Sequence, residues 1–247
     1  SRSGMNNPRG VAVDGAGVLW VADAGNNRVL RFDGAATKTS GANANGVLGQ
    51  GNFTNNTAAT TTTGMSSPHG VAADSAGVLW VADAVNDRVL RFDGAAALSN
   101  GAAANGVLGQ SDFTTSGNNT TQSGMRAPNS VAVDSAGVLW VADSGNNRVL
   151  RFNNAAGKNN GANANGVLGQ ADFTSRIDGT GQAGMNNPFG VALDSANRLW
   201  VADAGNHRVL RFDTTAPGNG LNASFVLGQA DFSTSATGAS TTSMRAP

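Results

Sequence analysis

The chain is built from four tandem copies of one segment of about 60 residues. The copies share Met and Trp at the same points: Met5, Met65, Met125 and Met185, and Trp20, Trp80, Trp140 and Trp200. A period this regular indicates one supersecondary unit repeated along the chain. Because a residue that recurs in every copy is first of all a packing residue, the repeat points to architecture before it points to a catalytic centre.

One copy contains four short apolar segments separated by Gly, Asn and Asp. In the first copy they are Gly10–Asp14, Val18–Asp23, Arg28–Phe32 and Gly46–Gln50. Short apolar segments bounded by these turn residues predict β-strands, and no segment has a helical periodicity long enough to predict a helix. Alternation places Leu19 and Val21 on one face of the second strand and Trp20 on the other, so both faces are apolar. A strand covered on both sides requires face-to-face packing of sheets.

A four-stranded unit with two apolar faces, repeated in tandem, predicts the blades of a β-propeller. We therefore expect an all-β fold with four blades of four antiparallel strands, in a single domain over residues 1–247. The blades are expected at approximately 5–64, 65–124, 125–184 and 185–243. The alternative is that the four blades are part of a longer or multi-chain propeller array.

The first half of every copy resembles the NHL repeat, a family named for an Asn-His-Leu pattern. The first copy reads PRGVAVDGAGVLWVADAGNNRVLRF, and the fourth comes closest to the pattern with Asn206, His207 and Leu210. The resemblance implies a propeller whose GVAVD strand lines the axis and whose VLGQ strand lies outside. The copies here exceed the roughly 40–45 residues of a typical blade, and the excess lies in two polar loops. In the first copy the first long loop is Asp33–Asn45, between the third and fourth segments, and the second long loop leads from Phe53 to the next proline.

Composition argues against nucleic acid as a partner and against a membrane-spanning segment. The chain carries 16 Lys and Arg against 16 acidic residues, all of them Asp, and it has no Cys or Tyr. A neutral chain lacks the basic face that nucleic acid demands, and no apolar run reaches the length of a membrane span. The small polar loops are typical of an extracellular or cell-surface protein. They also offer triplets for glycan attachment, which begin at Asn52, Asn55, Asn118, Asn119 and Asn222.

Charged residues recur around the second hairpin of every copy. As a calcium site each hairpin would supply only one or two carboxylates, and an Arg stands beside them. The favoured interpretation is therefore a structural ion pair that braces the hairpin, with no metal bound. The four pairs are Asp23 with Arg28, Asp83 with Arg88, Asp143 with Arg148, and Asp203 with Arg208.

Two further sets of recurring charges could form rings around an axis. Asp14 and its equivalents Asp74, Asp134 and Asp194 end the first strand and could hold a cation. An Asx-turn role is favoured, because a tight-turn sequence follows each of them. Arg31 and its equivalents could hold anions, but Asp33, Asp93 and Asp213 stand two residues after three of them and partly neutralise the set.

The positions that differ between copies carry the candidate recognition site. Four chemically unlike residues enter the first strand just after its proline: Arg9, His69, Asn129 and Phe189. We call these four residues the rim and treat them as the binding candidates, against the alternative of neutral drift at exposed sites. A second variable set occupies the hairpin turn: Asn27, Asp87, Asn147 and His207.

These observations favour a non-enzymatic binding or structural propeller outside the cell, which acts through a protein partner or through self-association and needs no cofactor. It could serve as a repeated element of a surface assembly or filament. One alternative, which the family resemblance supplies, is a lyase- or lactonase-like enzyme using the axial channel. Two observations argue against an enzyme: His69 and His207 occupy non-equivalent positions in their copies, and no nucleophile–base grouping can be recognised in the sequence. The other alternative is an intracellular protein-interaction scaffold.

Overall fold

The fold is all-β, with one four-stranded antiparallel sheet per repeat. The structure is a computed structural model that describes residues 1–213, 218–238, 240 and 242–247. In every sheet the strands follow one another in chain order, so each repeat forms one blade. The predicted architecture of four blades with four antiparallel strands each is confirmed.

The strands are numbered in chain order. Blade 1 contains β1 (Pro8–Val13), β2 (Leu19–Asp23), β3 (Arg28–Phe32) and β4 (Gly46–Leu48). Blade 2 contains β5 (Pro68–Ala73), β6 (Leu79–Asp83), β7 (Arg88–Phe92) and β8 (Gly106–Leu108). Blade 3 contains β9 (Pro128–Val133), β10 (Leu139–Asp143), β11 (Arg148–Phe152) and β12 (Gly166–Leu168). Blade 4 contains β13 (Pro188–Leu193), β14 (Leu199–Asp203), β15 (Arg208–Phe212) and β16 (Phe225–Leu227).

Single 3₁₀ turns are the helical elements of the described residues. They are Ala24–Asn26, Ala35–Thr37, Ala84–Asn86, Ala95–Ala97, Ser144–Asn146, Ala155–Gly157 and Ala204–Asn206. The fourth strand of each blade is shorter than the sequence pattern predicts. In blade 1 it ends at Leu48 because Gly49 turns the chain at φ +85°. Gln50, which the pattern places in the strand, instead turns inward and donates a 2.9 Å hydrogen bond to the Asn27 carbonyl.

The chain divides into two compact units. The first contains residues 1–118 and 156–162, and the second contains residues 119–155 and 163–247. Within each unit one blade packs on the next through two different faces. The Trp face of blade 1 comprises Trp20, Ala22, Val29 and Leu48. It packs against the Leu face of blade 2, which comprises Val71, Leu79, Val81, Leu90 and Phe92.

The second unit repeats this packing with equivalent residues. Trp140, Val149 and Leu168 of blade 3 pack against Leu199, Val201, Leu210 and Phe212 of blade 4. The sheet faces therefore meet as the two-sided apolar strands predict. Trp20, Trp80 and Trp140 are buried, whereas Trp200 on the Trp face of blade 4 is partly exposed.

In blades 1 to 3 the free edge of the outer strand is capped by the first long loop of the following repeat. In the first unit, the Val47 N–H donates to Asn100 Oδ1 at 3.1 Å, and the Gly101 N–H donates to the Val47 carbonyl at 3.0 Å. Asn160 and Gly161 cap Val107 in the same way, which explains why residues 156–162 belong to the first unit. In the second unit the cap on Val167 consists of Asn219 and Gly220. A sheet edge is thereby closed to foreign strands.

The first strands of neighbouring blades approach each other most closely within a unit. A Cβ built on Gly10 would lie 2.3 Å from the His69 carbonyl oxygen, so only glycine fits there. Blade 3 has Ser130 at the equivalent position, and its hydroxyl accepts the Val191 N–H at 3.2 Å. A second serine of blade 3, Ser144, donates to the Pro188 carbonyl at 2.5 Å. The two units therefore join their blades with different contacts at the same place.

Gly10→Ala should destabilise the protein, because the added methyl group meets backbone that cannot move aside. We expect a loss of about 1–3 kcal/mol of unfolding free energy. The matched control is Gly190→Ala at the equivalent position of blade 4, where the nearest atom to a built Cβ is the Ala202 methyl at 3.5 Å. Urea unfolding followed by Trp fluorescence measures both variants. Equal effects of the two substitutions would contradict the close approach of β1 and β5.

Candidate functional site

The turn of the second hairpin is held by a residue in the left-handed conformation. In blade 1 the 3₁₀ turn Ala24–Asn26 is followed by Asn27 at φ 53°. The equivalent residues of the other copies have nearly the same angle: 52° at Asp87, 53° at Asn147 and 55° at His207. Apart from glycine, Asn and Asp tolerate the left-handed region best. Val85 in blade 2 stands two residues before Asp87 and does not have to adopt this conformation.

The side chain of this turn residue also fastens the end of the second long loop. Asn27 Oδ1 accepts the Ser67 N–H at 2.8 Å, and Asn147 Oδ1 accepts the Asn187 N–H at 2.8 Å. In blade 4 the acceptor is His207 Nδ1, which takes the Ala246 N–H at 3.1 Å. Asn, Asp and His all present an acceptor in this direction. The variation at this position therefore has a structural explanation and does not need a ligand.

A buried ion pair stands beside the turn in every blade. In blade 1 Arg28 Nε donates to Asp23 Oδ2 at 2.7 Å, and both side chains are almost fully buried. The same pair has the same 2.7 Å separation in the other three blades: Asp83 with Arg88, Asp143 with Arg148, and Asp203 with Arg208.

The guanidinium group joins the second long loops of two successive repeats to the hairpin. Arg148 Nη1 donates to the Phe173 carbonyl at 2.6 Å. Its Nη2 donates to the Thr121 and Gly124 carbonyls, each at 2.9 Å. One cation thus satisfies carbonyls from the loop that enters the blade and from the loop that leaves it. The planar fork of Arg provides this set of directions, which Lys could not.

Both oxygens of the Asp143 carboxylate also accept hydrogen bonds. Asp143 Oδ1 accepts the Arg126 N–H at 2.6 Å, and Oδ2 accepts from both Asn146 and Arg148. Burial raises the pKa of the Asp143 carboxyl, and the Arg148 guanidinium opposes that rise. Burial likewise raises the pKa of Asp83 and of Asp203. With its oxygens occupied by N–H donors, this carboxylate has no free position for a calcium ion.

Asp143→Ala should cost about 3–5 kcal/mol of unfolding free energy, because it leaves the buried Arg148 cation unpaired. The control is Asp93→Asn, which removes a half-exposed carboxylate 3.0 Å from Arg91 and which copy three already carries as Asn153. That change should cost less than about 1 kcal/mol. Chemical unfolding measures both. A calcium-dependent increase in the stability of the native chain, absent from Asp143→Ala, would instead assign a metal to the hairpin.

The carboxylates at the end of the first strand act within tight turns. Asp14 Oδ1 accepts the N–H groups of Ala16 and Val18, and Oδ2 accepts the Trp20 indole N–H at 3.3 Å. In blade 4 Asp194 also pairs with Arg198 at 2.7 Å. The Trp200 indole, which donates to it, contributes most to holding the pKa of Asp194 well below its ordinary value. Among the described residues, no group of three or more His, Cys and Asp is arranged to hold a metal.

A second Asx turn, which the sequence pattern did not predict, opens the second long loop. Asp172 Oδ1 accepts the N–H groups of Thr174 and Ser175 and the Thr174 hydroxyl. The first of these bonds contributes most to lowering the pKa of Asp172 to about 2. In copy one the same three bonds end on Asn52. Comparison of the copies could have revealed this turn, since the residue before Phe is Asn in copy one and Asp in the other three.

Asp172→Asn should change how stability depends on acid. The lowered pKa stabilises the fold at pH values above the ordinary Asp value near 4, and this contribution is lost as pH falls towards 2. The midpoint of thermal unfolding of the native chain should therefore exceed that of Asp172→Asn at pH 6, and the difference should shrink between about pH 4 and pH 2. A difference that stays constant over this range would contradict the assignment.

The four rim residues occupy the second position of the first strand in each blade. Arg9 and His69 lie on the neighbouring strands β1 and β5 of the first unit. Asn129 and Phe189 lie on β9 and β13 of the second unit, which the Ser130–Val191 hydrogen bond joins. Arg9 is exposed and Phe189 is 40% exposed, whereas His69 and Asn129 are half-buried. His69 Nε2 lies 3.2 Å from the Ser67 hydroxyl. That the four residues share one surface stays a prediction.

The Trp face of blade 4 differs from its equivalents. Phe225 stands where the other copies have Gly46, Gly106 and Gly166. Its ring packs edge-on against Trp200 at 6.5 Å, and the Arg211 guanidinium lies 5.4 Å from its centre. In blades 1 and 2 the equivalent Arg reaches loop carbonyls of the following repeat, as Arg31 does with Leu98. Phe225 is 43% exposed and Leu227 is 39% exposed.

The NHL-repeat profile matches this chain four times, at residues 5–32, 65–92, 125–152 and 185–212. Human NHL repeat-containing protein 3 is 58% identical over 36 residues, which are 15% of this chain and 10% of that protein. The chain therefore carries four NHL repeats, each matching about the first half of one copy.

Three solved structures illustrate the similarity of fold. The hydrazine synthase of Kuenenia stuttgartiensis aligns with a TM-score of 0.56 at 14% identity, over 92% of this chain and 50% of that one. A chain of a nidogen–laminin complex aligns with a TM-score of 0.55 at 18% identity, over 92% and 70%. Virginiamycin B lyase from Staphylococcus aureus aligns with a TM-score of 0.50 at 15% identity, over 87% of this chain and 54% of that one. The chain therefore spans about half the length of the synthase and lyase chains.

Proposed function

We propose that this protein is a non-enzymatic binding module that acts outside the cell and recognises a protein partner through the rim. The observation that carries the proposal is the contrast between copies. The recurring Asp and Arg residues of the hairpins are committed to the framework, and the rim is the place where four unlike side chains stand at equivalent positions. Blades that are otherwise nearly identical can provide selectivity only where they differ.

The chemistry of the rim suits a polypeptide surface. Arg9 offers a planar cation for a carboxylate, Phe189 offers an exposed aromatic ring, and Asn129 offers both donor and acceptor groups. Arg and aromatic residues are enriched among the side chains that dominate protein interfaces. Nidogen, named in a structure of similar fold, is likewise recorded in a complex with another protein. The lyase of similar fold supports the alternative, an enzyme, only at the level of architecture.

Support for a location outside the cell comes from composition. The chain has no Cys or Glu, and its long loops are rich in Thr, Asn, Ser and Gly. The described residues contain no helix long and apolar enough to cross a membrane. Protection of the protein in intact source cells against an added protease would refute this part of the proposal.

The test of the rim uses peptides selected by display on the native chain. A variant with Arg9, His69, Asn129 and Phe189 all changed to Ala should lose their binding by at least about tenfold in Kd. The control variant carries Ser at Val85 and Ile177, which are 62% and 76% exposed and lie outside the rim. It should bind like the native chain. Peptides that bind both variants equally would place recognition elsewhere, and metal-stimulated hydrolysis of lactone substrates by the native chain would favour the enzyme.

A further inference from the structure

We infer that the Trp face of blade 4 is one half of a blade-to-blade joint whose other half is blade 1 of a second copy of this chain. The joint is seen in complete form inside each unit, where a Trp face meets a Leu face and an Asn-Gly loop caps the outer strand. This inference goes beyond the proposed rim function, because it concerns different residues and a different partner.

The half on blade 4 is uncovered. Leu227 is 39% exposed, whereas its equivalents Leu48 and Leu168, which are covered by the following blade, are 3% and 2% exposed. Val47, Val107 and Val167 each have an N–H capped by a later repeat, and the described residues supply no such cap to Val226. A Cβ on Gly190 would meet only Ala202, whereas one on Gly10 would strike the next blade.

The half on blade 1 is open along its first strand, β1. Val11 is 67% exposed, whereas its equivalent Val71, which blade 1 covers, is 6% exposed. Val13, which pairs with Leu19 on the same face, is 65% exposed. The rest of this Leu face, including Leu30, Phe32 and Val47, is buried in a cluster of residues from blade 1 itself. The open part, which a neighbouring blade would cover, is therefore the row of valines on β1.

The capping loop of blade 1 is already in its bound shape. Gly41 has φ +75°, close to the +67° of Gly101 and the +64° of Gly161, which do cap a strand. A Cβ on Gly101 or on Gly161 would lie within 3 Å of the chain just after the strand that it caps, at Gly51 and at Ser111. A Cβ on Gly41 would find nothing within 4 Å.

These observations identify the occupant by its shape and its hydrogen bonds. The open strand β16 needs a loop with an acceptor followed by a left-handed glycine, and Ser40–Gly41 supplies one, with the Ser hydroxyl in place of the Asn100 amide. The open Trp face needs a Leu face, and blade 1 supplies one. A net charge of zero places no electrostatic barrier between two copies.

The mass of the particle in solution tests the inference. The native chain should form dimers or longer head-to-tail assemblies by sedimentation equilibrium, because each copy carries both halves of the joint. Leu227→Asp or Val11→Asp should each raise the dissociation constant of this self-association at least about tenfold, because each buries a carboxylate in the joint. Ile177→Asp, at a position 76% exposed, is the matched control and should leave the dimer intact. A mixture of Leu227→Asp and Val11→Asp should recover dimers, because one undamaged pair of faces remains.

A disulfide test identifies the contact without relying on those variants. The chain has no native Cys, so Gly41→Cys with Ala230→Cys gives a unique pair, and it should form a covalent dimer. Gly220→Cys with Ala171→Cys, at equivalent positions already in contact, should close within one chain. A monomeric native chain, or an intrachain bond between the two cysteines introduced at Gly41 and Ala230, would overturn the inference. Rim binding would be unaffected by either result, so failure of the two proposals can be told apart.

Discussion

The buried Asp–Arg pair of each hairpin is the interaction on which the second long loops depend. Its guanidinium reaches carbonyls on either side of the blade, and its carboxylate takes an amide of the loop that enters the blade. A buried pair of this kind contributes little net stability compared with an apolar replacement, but it is costly to break. Its role here is to fix positions, because each pair attaches both the second long loop that precedes its blade and the one that follows it.

Both kinds of long loop also contribute to the contacts between blades. Within each unit the first long loop of one repeat supplies the Asn and Gly that cap the outer strand of the repeat before it. The second long loop returns its methionine to the core, where Met65, Met125 and Met185 are fully buried. The loops that lengthen these blades are therefore parts of the joints between blades as well as surface segments.

The period and the two-sided strands predict four blades because burial on both faces leaves few other solutions. The hairpin pair was likewise predictable, since each carboxylate has an Arg within five residues. The contacts between repeats were not, because the partners Val47 and Asn100 lie 53 residues apart and share no pattern. The differences between copies held more information than their common residues. Ser130 in place of Gly and Phe225 in place of Gly each mark a contact that the other blades make differently.

The edge cap has a consequence for how a chain of this kind changes length over generations. Each repeat encodes both the strand end that is capped and the loop that caps the strand before it. An unequal crossover between two copies at matching positions adds or deletes one whole blade, and every new junction still has both of its parts. A crossover at unmatched positions would separate a loop from its strand, or reverse which side chains face inward. The number of blades can therefore change during evolution, whereas every crossover must join the copies at matching positions of the repeat.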